Sequence, residues 1–310
     1  MFMTTSPFKW IAQGVAWRFG SFVALGLSLV AGCQRGEELG PLASSADARR
    51  IREAFTSGSG EASSGAETVS TGTGWATLKG QFLFDGTPPQ MEPYGVNRDQ
   101  ATCAAGGTAP LEETVLVDPE TMGLANVAIY LRRANRVHES AQASDDTMIF
   151  DQKACVFLSH VFPLTLGQTV DIKNSDPVGH NTKISGKNGF NQIIPAGGSV
   201  QLKPQKEEAV PMPVDCSIHP WMRAYFLPRE NGYYAVTGKD GSFEIANVPA
   251  GEELEFQVWH ESARGRGGPL ALGTPQAKEL KWKKGRFKIR LDENEEKELR
   301  ITVPASALGR

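Results

Sequence analysis

Three different metal-binding side chains lie within seven residues of one another. They are Cys216, His219 and Met222, spaced as C-x2-H-x2-M. A thiolate and an imidazole bind copper in both of its oxidation states, and a thioether adds a weak, soft ligand. A second imidazole, His180, stands directly after a predicted strand. Two histidines and one cysteine with an axial methionine are the ligands of blue copper, so this pattern predicts a copper site for electron transfer.

Two other interpretations of the same residues stay open. A C-x2-H pair is also half of a structural zinc site, although the chain offers no matching second half. Alternatively, Cys216 is a buried free thiol, and His180 and His219 pack independently of it. Each alternative accounts for only part of the set, so copper is the cofactor that the sequence favours.

The elements that must position these ligands are predicted to be strands. From residue 75 onward, short alternating apolar segments are separated by turns rich in glycine and proline, and no long segment has helical spacing. This pattern predicts an all-β fold of antiparallel sandwiches. The predicted strands are 78–84, 115–117, 125–131, 161–166, 169–174, 200–202, 224–227, 242–246, 254–259, 287–291 and 298–303.

The ligand segment resembles that of the cupredoxins, the amicyanin and plastocyanin type of blue copper domain. A short ligand loop, Pro220 directly after its histidine, and Asn181 directly after His180 carry the resemblance, which extends over roughly residues 145–228. The resemblance implies a Greek-key β-sandwich with one type 1 copper, in which Asn181 holds the two ligand loops together. The copper ligands that it implies are His180, Cys216, His219 and Met222.

The resemblance also implies how electrons reach the copper. His219 is expected on an exposed loop as the electron port, and Trp221 beside it as a hydrophobic contact for a redox partner such as a cytochrome or a dehydrogenase. The expected function is that of an electron carrier, not an enzyme. The alternatives are a copper-holding or copper-delivery protein, and a cell-surface module that binds a glycan or a protein and has a structural metal site.

The chain on either side of this region resembles a second kind of β-sandwich. Segments 237–243 and 248–251 are similar to the carboxypeptidase regulatory-like, transthyretin-like module, and segment 78–86 is similar to its first strand and turn. The combination resembles bacterial proteins of the methylamine-utilisation-like group. A transthyretin-like or Ig-like sandwich does not by itself imply an activity.

The expected domain organisation places one sandwich inside the other. Residues 75–137 together with 229–304 are predicted to form the transthyretin-like sandwich, and residues 138–228 the inserted cupredoxin domain. The alternative is three domains in series, with residues 111–131 supplying the first cupredoxin strands.

The N-terminal residues are typical of a bacterial lipoprotein. Residues 1–33 combine a basic start, an apolar stretch too short to span a bilayer, and small residues before Cys33. Cys33 is therefore the expected lipidation site, and an ordinary secretory signal is the alternative. Residues 34–74, rich in small and polar residues, are expected to be a flexible linker. Gln34 follows the cysteine, which favours a periplasm-facing anchor in the outer over the inner membrane.

Two cysteines are left after lipid and copper, Cys103 and Cys155. An oxidising compartment permits a disulfide between them, and two reduced thiols are the alternative. His160 is expected to be a strand-edge histidine, and a peripheral ligand or a proton site is the alternative. The pair His260 and Glu261 is expected to be structural, since no second carboxylate or nucleophile accompanies it; acid–base work or metal binding is the alternative. Asp176, before a proline, is interpreted as turn chemistry.

The overall charge excludes one further class of partner. The chain has 310 residues and a formal net charge of −3, so it lacks the basic surplus of nucleic-acid-binding proteins.

Overall fold

The computed structural model describes residues 73–309. The expected signal peptide, the lipidation site Cys33 and nearly all of the expected linker lie outside this range. Within it, no helix is long and apolar enough to cross a membrane.

Sixteen strands, two one-turn α-helices and three short 3-10 helices make up the regular structure of this range. The α-helices are Gln100–Cys103 and Pro275–Glu279. The strands are β1 Trp75–Asp85, β2 Ala128–Leu131, β3 Thr147–Lys153, β4 Val156–Phe157, β5 Val161–Thr165, β6 Thr169–Asn174, β7 His180–Ile184, β8 Phe190–Ile194, β9 Ser199–Leu202, β10 Met212–Asp215, β11 Arg223–Arg229, β12 Tyr234–Val236, β13 Ser242–Pro249, β14 Glu253–Trp259, β15 Arg286–Arg290 and β16 Glu296–Pro304.

Strands β3 to β11 form what we term the metal-site sandwich. One sheet has the order β4-β3-β6-β9 and the other the order β5-β11-β10-β7-β8. Side chains from both sheets meet in one core, which includes Phe150, Ile172, Val214 and Phe226. The alternation predicted for β6 is present, because its buried side chains alternate with half-exposed ones along the strand.

The remaining strands form what we term the flanking sandwich. Its sheets have the orders β13-β1-β16 and β12-β2-β14-β15, and their side chains share a second core. Strand β1 pairs antiparallel with β13 and parallel with β16. The strands of the flanking sandwich come from residues 75–131 and 234–304, whereas those of the metal-site sandwich come from residues 147–229.

A third apolar cluster joins the two sandwiches. Val161, Tyr225 and Leu227 of the metal-site sandwich pack in it with Tyr130 and Trp259 of the flanking sandwich. The rings of Tyr225 and Trp259 lie 4.6 Å apart in an edge-to-face arrangement. Burial of these large side chains fixes the two sandwiches against each other.

The all-β prediction is confirmed, and one of the predicted strands is absent. Residues 115–117 form no strand; Val117 makes one isolated bridge, to Leu124. The last two strands, β15 and β16, do not pair with each other. Strand β15 pairs with β14 at the edge of one sheet, and β16 pairs with β1 at the edge of the other. The two strands lie in different sheets because their apolar side chains line opposite sides of one core.

Candidate metal centre

The predicted ligands lie at the ends of three neighbouring strands. His180 is the first residue of β7, Cys216 directly follows β10, and Met222 directly precedes β11. Strand β10 pairs antiparallel with both β7 and β11. The loop from residue 216 to 222 is therefore a tight connection between paired strands, and it faces the start of β7.

The ring nitrogens and the thiol meet at one point in the interior. His180 Nδ1 lies 2.9 Å from His219 Nδ1, and Cys216 Sγ lies 3.8 Å from His219 Nδ1. Both histidines are 0% exposed, and Cys216 and Met222 pack in the same buried cluster. Cys216 is the only free cysteine of the described range. The fold thus brings the ligand atoms of His180, Cys216 and His219 together in the interior, with Met222 packed in the same cluster.

Each histidine is held by a carboxylate through its other nitrogen. His180 Nε2 lies 2.7 Å from Asp176 Oδ2, and His219 Nε2 lies 2.9 Å from Asp99 Oδ2. A carboxylate accepts the N–H, so in the neutral ring the proton is on Nε2 and the lone pair on Nδ1. With both rings in this form, the two Nδ1 lone pairs face each other across 2.9 Å, where one cation would bind both.

This donor set fits copper. Two neutral imidazole lone pairs, one thiol that ionises on metal binding and one buried thioether combine soft and borderline ligands. Carboxylates that hold the outer nitrogen of metal-bound histidines are common partners in such sites, because they fix the tautomer and the ring orientation.

The pKa of His180 agrees with a role as a neutral ligand. Burial lowers its pKa below the ordinary value, and the hydrogen bond to Asp176 opposes that effect without cancelling it. The ring consequently stays uncharged near neutral pH, the form that binds metal.

Asp176 does more than the turn chemistry that the sequence suggested. Its backbone N–H does donate to Asn174 Oδ1 in a local turn, at 3.0 Å. Its carboxylate, however, is buried, and it also accepts the N–H groups of Ala154 and Cys155 at 2.7 and 2.8 Å. Those two residues have positive φ values of 54° and 57°, so their N–H groups turn inward. One carboxylate thus anchors both a ligand and the β3–β4 turn.

Asp99 was missed by the sequence analysis. It precedes the helix Gln100–Cys103 with a φ of 46° and covers the outer edge of His219. Nothing in its local sequence marks it, because it is 120 positions from its partner. The expectation that His219 is an exposed electron port is wrong: the segment that carries Asp99 lies over the ring and buries it completely.

Asn181 connects the two ligand segments. Its Oδ1 accepts hydrogen bonds from the backbone N–H and hydroxyl of Ser217, at 3.2 and 2.8 Å. Its own backbone N–H donates to Cys216 Sγ at 3.2 Å, and the N–H of His219 donates to the same sulfur at 3.4 Å. Two backbone N–H donors thus point at one sulfur and fix its position between the two ligand segments.

The remaining cysteines are bonded to each other. Cys103 and Cys155 form a disulfide with a Cα–Cα distance of 5.1 Å, which ties the helix that follows Asp99 to the turn beside Asp176. Trp221 is half-buried, and its indole N–H donates to the carbonyl of Cys155 at 3.1 Å. The segment that carries Asp99 and the ligand loop that carries Trp221 are thus both attached to this disulfide.

His160 and Glu261 form a contact between the two sandwiches. His160 Nε2 is hydrogen-bonded to Glu261 Oε1, and the hydroxyl of Tyr225 donates to Glu261 Oε2 at 3.0 Å. His260 is buried, with its Nδ1 accepting the N–H of Ser262 at 3.2 Å, and burial lowers its pKa to about 4. His260 therefore remains neutral inside the flanking sandwich.

The chain matches no protein-family model and no curated protein. Solved structures that resemble part of it include a Cu-containing nitrite reductase from Thermus scotoductus SA-01, with 20% identity, a TM-score of 0.26 and coverage of 30% of this chain and 25% of that one. They also include amicyanin from Paracoccus versutus, with 15% identity, a TM-score of 0.25 and coverage of 33% of this chain and 97% of that one. An oxidised amicyanin variant gives 15% identity, a TM-score of 0.25 and coverage of 28% and 86%. The similarity thus covers about a third of this chain, about a quarter of the nitrite reductase and most of the amicyanins.

Proposed function

We propose that this protein is a type 1 copper electron carrier. The observation that carries the proposal is the convergence of two Nδ1 lone pairs and one thiol in the buried metal centre, with each histidine held by a carboxylate. His180, Cys216 and His219 are the proposed equatorial ligands, and Met222 is the axial one. Bound copper supplies a single-electron couple between Cu(I) and Cu(II).

The chain's own contribution is to keep the ligand positions constant. Asp176 and Asp99 fix the two rings, Asn181 fixes the distance between the two ligand segments, and the Sγ of Cys216 accepts two N–H bonds. A site that is held in this way changes little between oxidation states, which speeds electron transfer. No group within the proposal performs bond chemistry.

The cellular setting of the proposal rests on sequence. We place the protein in the bacterial cell envelope, anchored through lipid on Cys33 and facing the periplasm, with an electron-transfer partner protein. We also propose that the metal-site sandwich is an inserted domain and that the flanking sandwich is transthyretin-like. Its strands come from both sides of residues 147–229, which supports the insertion.

An absorption and EPR spectrum of the Cu(II)-loaded protein tests the proposal. We expect an intense visible band from thiolate-to-copper charge transfer, and we expect Cys216→Ser to abolish it. His138→Gln, which lies outside the site, is the matched control and should keep the band. A colourless wild-type protein in the presence of Cu(II), or a band that persists in Cys216→Ser, would contradict a blue copper site.

A copper-holding role is the second candidate. The complete burial of both histidines favours it, because a covered site releases metal slowly. Fast electron exchange with slow copper transfer to a chelator supports the carrier, and the reverse supports the holding protein.

A further inference from the structure

A cavity lies directly against the metal centre. Its volume is about 470 Å3, and Met222 and Trp221 form part of its wall. Side chains from residues 102–113, which follow Asp99, line it as well. A volume of this size holds one small organic molecule. We refer to it as the Met222 cavity.

The walls of the Met222 cavity are suited to an aromatic ring. Tyr94, Phe157 and Trp221 contribute aromatic side chains to a lining that is apolar and polar in similar measure. Its charged and titratable side chains are Glu113, His160 and Arg223. Aromatic walls with polar groups between them suit a flat ring that carries a polar substituent.

One wall of the cavity offers a route to the metal. Met222 belongs both to the cavity lining and to the proposed ligand set, so a ring in the cavity is one side chain from the metal position. Trp221 adds a second connection, since its ring centroid is 5.1 Å from that of His219. The edge of His219 itself is covered by Asp99, so it offers no direct access.

Another wall offers a proton acceptor. Glu261 engages Nε2 of His160, and the same carboxylate accepts the hydroxyl of Tyr225, which fixes its orientation. Among the described residues, no group is hydrogen-bonded to Nδ1 of His160. A neutral histidine whose Nε2–H is held by a carboxylate presents a lone pair on Nδ1, which is the arrangement of a general base.

We infer that the Met222 cavity binds a small phenolic molecule and that the site takes an electron from it. The inference rests on the proposed function, since the electron acceptor is Cu(II). With Cu(II) held by the proposed ligands, one phenol would lose its O–H proton to His160 Nδ1 and one electron to the metal. The O–H bond would break, leaving a phenoxyl radical and Cu(I), and the proton would then pass to solvent. A phenol fits this cavity because it must release a proton and an electron together, and the cavity has an acceptor for each.

The first experiment measures binding without copper. Hydroquinone is added to the metal-free protein, and saturation-transfer NMR detects ring protons in contact with it. We expect a saturable signal in the wild type. Ala109→Trp, which fills the cavity from its lining, should abolish that signal, whereas His138→Gln, outside the cavity, should leave it unchanged. A signal that is absent in the wild type, or that persists in Ala109→Trp, overturns the inference.

The second experiment measures reduction of the Cu(II) protein. Stopped-flow absorption follows loss of the visible band with hydroquinone, or with hexaammineruthenium(II), which transfers an electron and no proton. The rate with hydroquinone should saturate and should be lower in D2O. In His160→Gln, the ratio of the hydroquinone rate to the ruthenium rate should fall about 100-fold, the usual contribution of a general base. His138→Gln should keep the wild-type ratio.

The outcomes separate the inference from the proposed function. Absence of the visible band in the wild type overturns both. A normal band with reduction that does not saturate, and with the same rate ratio in His160→Gln, overturns the inference and leaves the copper proposal standing.

Discussion

Asp99→Asn tests whether the carboxylate over His219 acts on the metal. Asp99 has a φ of 46°, a conformation that asparagine tolerates and alanine does not, so Asn is the substitution that avoids backbone strain. The change keeps a hydrogen-bond acceptor near Nε2 and removes the charge. Any change in copper affinity or reduction potential therefore measures the effect of the negative charge beside Nε2 of His219.

The expected size follows from the role of such a partner. A carboxylate on the outer nitrogen makes the imidazole a stronger ligand, and loss of a partner of this kind weakens metal binding about 10- to 100-fold. Because Asn keeps a hydrogen-bond acceptor, we expect the lower end of that range, copper binding that is about tenfold weaker. The metal-free protein should lose less than about 0.5 kcal/mol of unfolding free energy, because the Asp99 side chain is 42% exposed and water replaces it.

Competition with a chelator measures the Cu(II) affinity, and urea unfolding of the metal-free protein measures stability. Voltammetry adds the sign of the effect: the reduction potential should rise in Asp99→Asn, because a negative charge stabilises Cu(II) more than Cu(I). Asp146→Asn, at an exposed position away from the site, is the matched control. Equal affinities in the wild type and Asp99→Asn, or equal losses in the two variants, would refute the assigned role of Asp99.

Two further predictions concern buried groups. Asp176→Ala should lower the unfolding free energy of the metal-free protein by about 3 kcal/mol or more, because it leaves three buried donors without a partner. Urea titrations measure this loss, and a loss as small as that of Asp99→Asn would contradict the prediction. Burial lowers the pKa of His260 from 6.5 to about 4, so between these pH values the unfolded chain takes up a proton that the folded one does not. The unfolding free energy should fall by up to about 3 kcal/mol from pH 7 to pH 4, and His260→Gln should reduce that slope; equal slopes would contradict it.

The grouping of the candidate ligands was predictable from sequence because its chemistry is local. Cys216, His219 and Met222 stand on one loop, and His180 follows the predicted strand 169–174, whose alternating pattern is readable. Residue type and spacing suffice there, since a short loop between paired strands leaves its side chains few directions. The all-β class was predictable for the same reason, from alternation along single strands.

The groups that surround the ligands were not predictable in this way. Asp99 is 120 positions from His219, and Glu261 is 101 positions from His160. Such pairings depend on how complete sheets pack, and a carboxylate at a distant site carries no mark of its partner. The exposure of His219 was wrong for the same reason: the resemblance concerned the loop, whereas burial is decided by the segment that lies over it.

These distant contacts make the metal-site sandwich dependent on the rest of the chain. Residues 138–228 alone would lack the cover that carries Asp99, the disulfide partner of Cys155, and Glu261. They would also expose Tyr225 and Leu227, which now pack against the flanking sandwich. The flanking sandwich is therefore part of the metal centre's surroundings, since the segments next to its strands supply the outer charges and close the cavity wall. Substitutions in those segments would change the surroundings of His219 and His160 while the four candidate ligand residues stay the same.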